Sequence, residues 1–326
     1  MILPLILALM TEAPAQAAPV APPPREIAEG VSLIPGAILP NYGPDGNTVI
    51  FDAPQGLVVI DTGRHAWHSD AILAFAAARG RPVAAIVNTH WHLDHSSGNR
   101  RIKAVFPAAP VYTTNAVDRA LANGGFLVRN LDAFRARLDD PSVSEAEKSE
   151  IRVLLDTMDA RDTLRPDVTL ARSQRMRLAG RSFDVRVTDG AVSDSDVWLY
   201  DRRTRVAVLG DLVTFPAPFF ETACADDWRR ALDEVWATRF IMAIPGHGEP
   251  MNRDQFNAYR TAFNGFMDCV QSDAAPAQCA TVWTTGVSQF LPDDAARRQA
   301  AAYAEYYVGY LRPNGGDSPD CLANPR

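Results

Sequence analysis

The 326-residue chain has no apolar run long enough to cross a bilayer. Its most apolar opening stretch, Ile2 to Met10, falls well short of the ~20 residues a spanning helix requires. There is no cluster of Lys and Arg either, and the net charge is -7. Phosphate binding wants a basic face, so a nucleic-acid partner is argued against. The pair Arg202-Arg203 reads as a solvated hairpin tip. None of the four cysteines (Cys224, Cys269, Cys279, Cys321) stands in C-x-x-C spacing, which excludes a zinc ribbon. No internal repeat or low-complexity core is visible.

What is present is an ordinary globular balance, 47% hydrophobic and 22% charged, enough for one large domain or two modest ones. The apolar start turns small and proline-rich, and "AQA" at 15–17 has the small-x-small form of a signal-peptidase site. Residues 1–24 therefore read as a signal peptide and Pro-rich leader, although the basic n-region is missing, and the product as periplasmic or secreted. The alternative is a start that takes no part in the fold. Disulfides are permitted in an exported chain. Cys269 and Cys279 flank a short polar loop, which suits a local bridge, and Cys224 with Cys321 would then tie the tail to the body. Free buried thiols are the other reading.

Strand-like runs recur at 31–35, 47–51, 56–61, 83–89 and 110–114, then at 183–188, 197–201, 205–211 and 240–247. Helical patterns lie between them near 69–79, 115–123, 127–139, 144–164, 226–238 and 252–271. Some connections are hairpins ("DAPQG", "DRRT") and others strand-helix-strand. The mixture predicts an α/β fold with two mixed sheets and helices outside. The domain is expected over 25–265, with a two-helix insertion at 126–165 and a C-terminal helical extension at 266–326 that ends in a helix over 293–311. Ser144 stands three residues before Glu147, a capping-box spacing.

The chemistry is concentrated in "NTHWHLDHSSGN", residues 88–99. His90 and His92 stand two apart where the chain leaves a buried strand, so both can face one metal. Asp94 and His95 fall at a turn into a helix and can face a second. Neutral imidazoles with a carboxylate are the ligands a catalytic zinc prefers.

This H-x-H-x-D-H segment resembles the signature of the metallo-β-lactamase superfamily, and the resemblance covers roughly residues 27 to 262. It implies an αββα four-layer sandwich with its metals at one sheet edge. "GLVVIDTG" is similar to the strand ending in an aspartate, here Asp61, that holds a ligand-bearing loop. "VLGD" puts Asp211 where many hydrolases of the group carry a bridging carboxylate, and "IPGHGEP" puts His247 at the last histidine. The metal set implied is His90, His92, Asp94, His95, Asp211 and His247, with one or two zinc ions. One element departs: where the family has G-x-x-H-[ST]-x-x-D, this chain has "TDGAVSDSDVWLY", with Val192 or its neighbour in the histidine's place. Asp194, Asp189 or Asp196 is a candidate substitute ligand; His65 and His68 are remote alternatives that read better as opening an exposed helix.

The resemblance implies an exported zinc-dependent hydrolase of an ester, lactone, thioester or related small-molecule bond. The metal would lower the pKa of water from about 16 towards about 7, and Asp94 would orient that water. Tyr42 and Asn41, in the flap "PGAILPNYGPDGN", are candidate substrate contacts; a loop-anchoring role is the plainer reading of Tyr42. Phe215, Phe219 and Phe220 are candidates for an apolar pocket wall or for core. Beta-lactam hydrolysis is argued against, because the family's lactamases carry a cysteine or serine at the place of Asp211 and a lysine soon after, and "LVTFPAPFFETA" has no lysine. A narrower similarity joins the chain to metallohydrolases found alongside periplasmic quinoproteins. The second function class compatible with Val192 is a non-catalytic metal-binding accessory protein on the same scaffold.

Overall fold

The computed structural model describes residues 19–39 and 42–323. The leader up to residue 18 and Asn41 lie outside the described residues. Among the described residues, twelve strands form two sheets. In chain order they are β1 (Arg25–Ala28), β2 (Val31–Ile34), β3 (Thr48–Ala53), β4 (Gly56–Ile60), β5 (Val83–Val87), β6 (Val111–Thr113), β7 (Val168–Thr169), β8 (Gln174–Leu178), β9 (Arg181–Asp189), β10 (Ser195–Asp201), β11 (Val206–Gly210) and β12 (Met242–Pro245). The helices are α1 (Ala66–Arg79), α2 (Leu93–Ser96), α3 (Asn99–Val105), α4 (Ala116–Ala120), α5 (Leu131–Leu138), α6 (Glu145–Asp159), α7 (Ala225–Ala237), α8 (Arg253–Val270), α9 (Pro276–Gly286), α10 (Asp294–Leu311) and α11 (Pro319–Ala323).

The seven-stranded sheet runs β1 to β7 in order, antiparallel as far as β4 and parallel from there to β7. The five-stranded sheet has the order β12-β11-β10-β9-β8, antiparallel except for the parallel β11–β12 pair. Three apolar layers separate the elements. Phe51 and Phe183, 5.0 Å apart between ring centres, stand in the layer between the two sheets. Ile72 and Ile102 pack α1 and α3 onto the outer face of the larger sheet. Trp228, Phe263 and Trp283 lie in the core that joins α7, α8 and α9 to the smaller one. Each such side chain contributes roughly 1.5–3 kcal/mol by leaving water. The αββα sandwich expected from the sequence is the fold observed.

The departures are local. Strands β1, β7 and β8 are too short or too polar to stand out by alternation. Helix α1 begins at Ala66, and its entry is not exposed: His65 and His68 are each 1% accessible. They are buried because the connection between β2 and β3 folds over them. Ser144 caps α6 by accepting from Glu147 N at 3.2 Å, but the Glu147 carboxylate goes to Arg137 instead of closing a capping box. Both expected disulfides are present, Cys224–Cys321 and Cys269–Cys279, with Cys279 inside α9.

Candidate metal centre

Four neighbouring strand ends converge on one rim. Asp61 follows β4, the 88–95 segment follows β5, Asp211 follows β11 and His247 stands just past β12. The β4–β5 and β11–β12 pairs are both parallel, so their carboxyl ends face the same way and deliver these side chains together. Two glycines allow the close approach. A Cβ on Gly246 would sit 1.9 Å from Asp211 Oδ1, and one on Gly46 would sit 2.4 Å from His95 Cε1. Neither position tolerates a side chain.

Two groups of ligand atoms result. Asp94, His95, Asp211 and His247 form one; His90, His92 and Asp211 form the other; within each group all ligand atoms lie within 4.8 Å of one another. Asp211 belongs to both. Its Oδ1 is 3.2 Å from His95 Nε2 and 3.6 Å from His247 Nε2, while its Oδ2 is 3.9 Å from His90 Nε2. Asp94 Oδ2 is 3.0 Å from His247 Nε2 and 3.5 Å from His95 Nε2.

The other nitrogens of the imidazoles are held from behind. Asp61, at a φ of 60° in the left-handed region, accepts from Thr89 N (2.7 Å) and Thr89 Oγ1 (2.8 Å) and pairs with His95 Nδ1 at 2.9 Å. Since the Thr89 hydroxyl donates to Asp61, it accepts from His90 Nδ1 at 3.0 Å, which leaves His90 Nε2 without a proton. The Thr222 hydroxyl donates to Val192 O at 2.7 Å and so accepts from His92 Nε2 at 3.0 Å, leaving Nδ1 of His92 as the free ring nitrogen. Such backing fixes tautomer and ring orientation in metal sites. Thr222, Thr89 and the carboxylate partners described below carry no local sequence signal, and sequence reading did not single them out.

The donor set fits a divalent cation. His90 Nε2, His95 Nε2 and Asp211 Oδ1 are buried and make no hydrogen bond. Unsatisfied buried polar atoms are costly and rare, and here three of them face one another. Nitrogen and carboxylate oxygen are what zinc takes. The electrostatics agree. Burial disfavours the His95 imidazolium, yet Asp211, Asp94 and Asp61 outweigh it and push its pKa well above the ordinary range. Burial and the neighbouring His95 and His92 hold His90 well below it, and burial takes His92 to about 4. The carboxylates concentrate negative charge around His95, where a cation would take the place of the ring's proton, while His90 and His92 are held neutral.

The expected substitutes for the missing histidine do not join the first group. Among the described residues, the ligand groups contain none of Asp189, Asp194 or Asp196. Asp194 Oδ1 is 3.3 Å from Arg119. Asp196 caps its own loop, accepting from Val192 N (2.8 Å) and Ser193 Oγ (2.8 Å), and burial pushes it up to about 7. His68 Nε2 is 2.8 Å from Thr48 Oγ1, and His65 is held between Asp45 (2.8 Å) and Glu150 (2.9 Å); neither turns toward the centre. Val192 stands two hydrogen bonds from His92, through Thr222.

The centre opens into a cavity of about 1230 Å³, with His92, Asp94, Asp211 and His247 in its lining. Tyr42, Phe215 and Phe219 line it too. Phe219 lies 5.2 Å from the His92 ring, and Tyr42 packs edge-on to Trp67 at 5.3 Å, so it is loop anchor and cavity wall at once. Phe220 does not line the cavity: it is fully buried against Trp228 and Phe263.

Comparison with known proteins bears on this arrangement. A linear primary-alkylsulfatase of Pseudomonas sp. is 24% identical over 223 residues, 62% of this chain and 41% of that protein. A hydroxyacylglutathione hydrolase of Synechococcus sp. is 47% identical over 51 residues, 16% of this chain and 19% of that protein. The chain thus spans well under two thirds of the curated relatives it matches. Among solved structures, a metallo-beta-lactamase from Pontibacter korlensis superposes with a TM-score of 0.54 at 18% identity, over 74% of this chain and 98% of that one. An inverting sec-alkylsulfatase from Pseudomonas sp. does so with a TM-score of 0.58 at 18% identity, over 93% of this chain and 52% of that one. At these identities the likeness is one of fold. The model of the metallo-beta-lactamase superfamily matches residues 42–247, from the flap tyrosine to the last histidine of the centre, and this chain belongs to that superfamily.

Proposed function

We propose that the protein is a zinc-dependent hydrolase that cleaves an ester, lactone, thioester or related bond of a small molecule. The observation that carries this reading is the set of buried atoms His90 Nε2, His95 Nε2 and Asp211 Oδ1, which make no hydrogen bond and converge at the floor of an open cavity. Relatives named as an alkylsulfatase, a hydroxyacylglutathione hydrolase and a beta-lactamase lend it support. Asp94, His95, Asp211 and His247 would hold one ion, and His90, His92 and Asp211 the other. Bound there, zinc supplies Lewis acidity and lowers the pKa of water.

The chain's own residues divide the remaining work. Asp94 is the least buried member of its group and faces the cavity, so its carboxylate orients the attacking water and takes its proton. His90 and His95 sit behind, outside the cavity lining, and act as fixed anchors. Asp61 and Thr89 hold their orientation. The flap closes the site from one side: Gly46 N donates to Asp94 O at 2.9 Å. The two disulfides support export to an oxidising compartment. Among the described residues, no helix is long and apolar enough to cross a membrane.

The test is metal content by elemental analysis together with a panel of ester, lactone, thioester and sulfate-ester substrates. Turnover that tracks bound zinc and falls by ~10³-fold or more in Asp94→Ala is expected. Val192 favours a second reading, a metal-binding accessory protein without turnover. A fully metallated chain inert to the whole panel would establish that one instead.

A further inference from the structure

The cavity above the centre draws part of its wall from helices that lie outside the ligand-bearing strand ends. Helix α5 supplies Phe134, α6 supplies Ile151 and Leu154, and α10 supplies Tyr303, Tyr306 and Tyr307. At about 1230 Å³ it exceeds the ~300–1,000 Å³ of most small-molecule sites. Tyr303 and Tyr306 are 44% and 53% exposed, so aromatic surface continues from the metal floor out to the mouth. On the inner side, Trp91 and Phe219 flank the His92 ring at 4.6 and 5.2 Å.

Its charge is one-sided. Among the described residues that line it, Arg64 is the one Lys or Arg, and its Nε is 3.2 Å from Glu150 Oε2. Glu147, Glu150 and Glu221 line it as well. Glu147 pairs with Arg137, and Glu221 accepts from the Tyr307 hydroxyl at 2.6 Å. A sulfate or carboxylate on the body of a substrate would find no uncommitted cation in these walls and would face three carboxyl groups. Burying an unpaired anion is strongly unfavourable. Burying apolar surface against these aromatic walls is favourable.

Resting on the hydrolase reading above, we infer that the substrate is an uncharged ester or lactone with an extended apolar body, its carbonyl at the Asp94 end of the cavity and its chain running between α6 and α10. In its hydrolysis the oxygen of water bonds to the acyl carbon, the ester C–O bond breaks, and a proton of the water leaves with the alkoxide, giving acid and alcohol. The walls select the body of the molecule, and the strand-end residues act on its bond.

The experiment uses the zinc-loaded full chain with 4-nitrophenyl acetate, butanoate and octanoate. Alongside run decyl sulfate and an octanoate ester that carries a carboxylate on its phenyl ring. We expect kcat/KM to rise about tenfold or more from acetate to octanoate, and the anionic octanoate to lose about tenfold against the neutral one. Phe134→Ala and Tyr303→Ala should each lower the octanoate-to-acetate ratio about threefold or more at unchanged zinc content. Equal kcat/KM along the acyl series, or preference for decyl sulfate, overturns the inference. Calorimetric titration with N-phenyloctanamide and N-phenylacetamide gives a readout that needs no turnover. Tighter binding of the longer amide, weakened in Phe134→Ala, supports the inference even if no ester is cleaved, in which case the fault lies with the bond assigned. Equal binding of the two amides overturns it whatever the turnover shows.

Discussion

Asp211 turns one oxygen to His95 and His247 and the other to His90, so a single carboxylate belongs to two ligand groups of unequal size. The group with Asp94, His95 and His247 has four members, and the group with His90 and His92 has three. Val192 or its neighbour stands where the resemblance implies a further histidine. Restoring an imidazole there, Val192→His, should tighten the weaker of two zinc affinities by about tenfold or more in chelator competition. Unchanged affinities and stoichiometry would mean that the 190–196 loop does not serve the first group. The legibility of these residues differs for a physical reason. His90, His92, Asp94 and His95 are close in sequence because one strand end and one short helix present them. Thr222 meets His92 across a separation of 130 residues, and nothing around "ETA" marks a hydroxyl that orients a ring. Asp194 was a fair candidate by spacing alone; its loop turns it toward Arg119 instead.

The flap between β2 and β3 is fixed by a buried ionic cluster as well as by the Tyr42–Trp67 contact. Asp45 Oδ1 accepts from the backbone of Arg64 (2.6 Å) and His65 (2.9 Å), and its Oδ2 accepts from Trp67 Nε1 at 3.0 Å. Glu150 on α6 accepts from Gly43 N at 2.8 Å and holds the far nitrogen of His65. His65 therefore ties flap, α1 and the inserted helix together, and its partner Asp45 is one residue from the glycine that lies on His95. Burial opposes its charge, but the hydrogen bonds it donates to Asp45 and Glu150 outweigh this and raise its pKa above 6.5. Burial likewise opposes ionised Asp45 and Glu150, while His65 holds both below their ordinary values. For a raised histidine, the stabilisation is complete below its unfolded value and fades as pH rises through the folded one. The lowered carboxylates act oppositely, at the acid end. His65→Ala should cost about 3 kcal/mol in denaturant melts at mildly acidic pH, with the gap to the parent narrowing above 6.5. A gap independent of pH would show that His65 is neutral in the folded chain. The sequence marked the flap and the insertion separately. Their joint depends on groups more than a hundred residues apart, which no local pattern carries.

At the scale of the molecule, the layer order was legible because strand runs fell into two sets and the motif resembles a known family. The role of the tail was not: 266–326 read as an appendage, yet α10 closes the cavity. Two cross-links hold this outer layer. Cys224–Cys321 spans 97 residues and Cys269–Cys279 spans 10. Loop-closure entropy assigns the longer link on the order of 4–5 kcal/mol and the shorter about 3. Cys224→Ser should accordingly lower Tm by more than Cys269→Ser, and a reducing agent should lower Tm of the parent but not of a variant lacking all four sulfurs. The reverse order would place the stability of the tail in its packing.

On the proposed reading, strand ends would grip the ions while much of the wall comes from the inserted pair and the tail, so bond-breaking and molecular taste would reside largely in different stretches of polypeptide. A lineage could swap one set of helices for another, as loosely as a lock is rekeyed, while the pins that do the chemistry keep their register. Diversity of diet in such a scaffold then comes at the periphery, where substitutions are tolerated best.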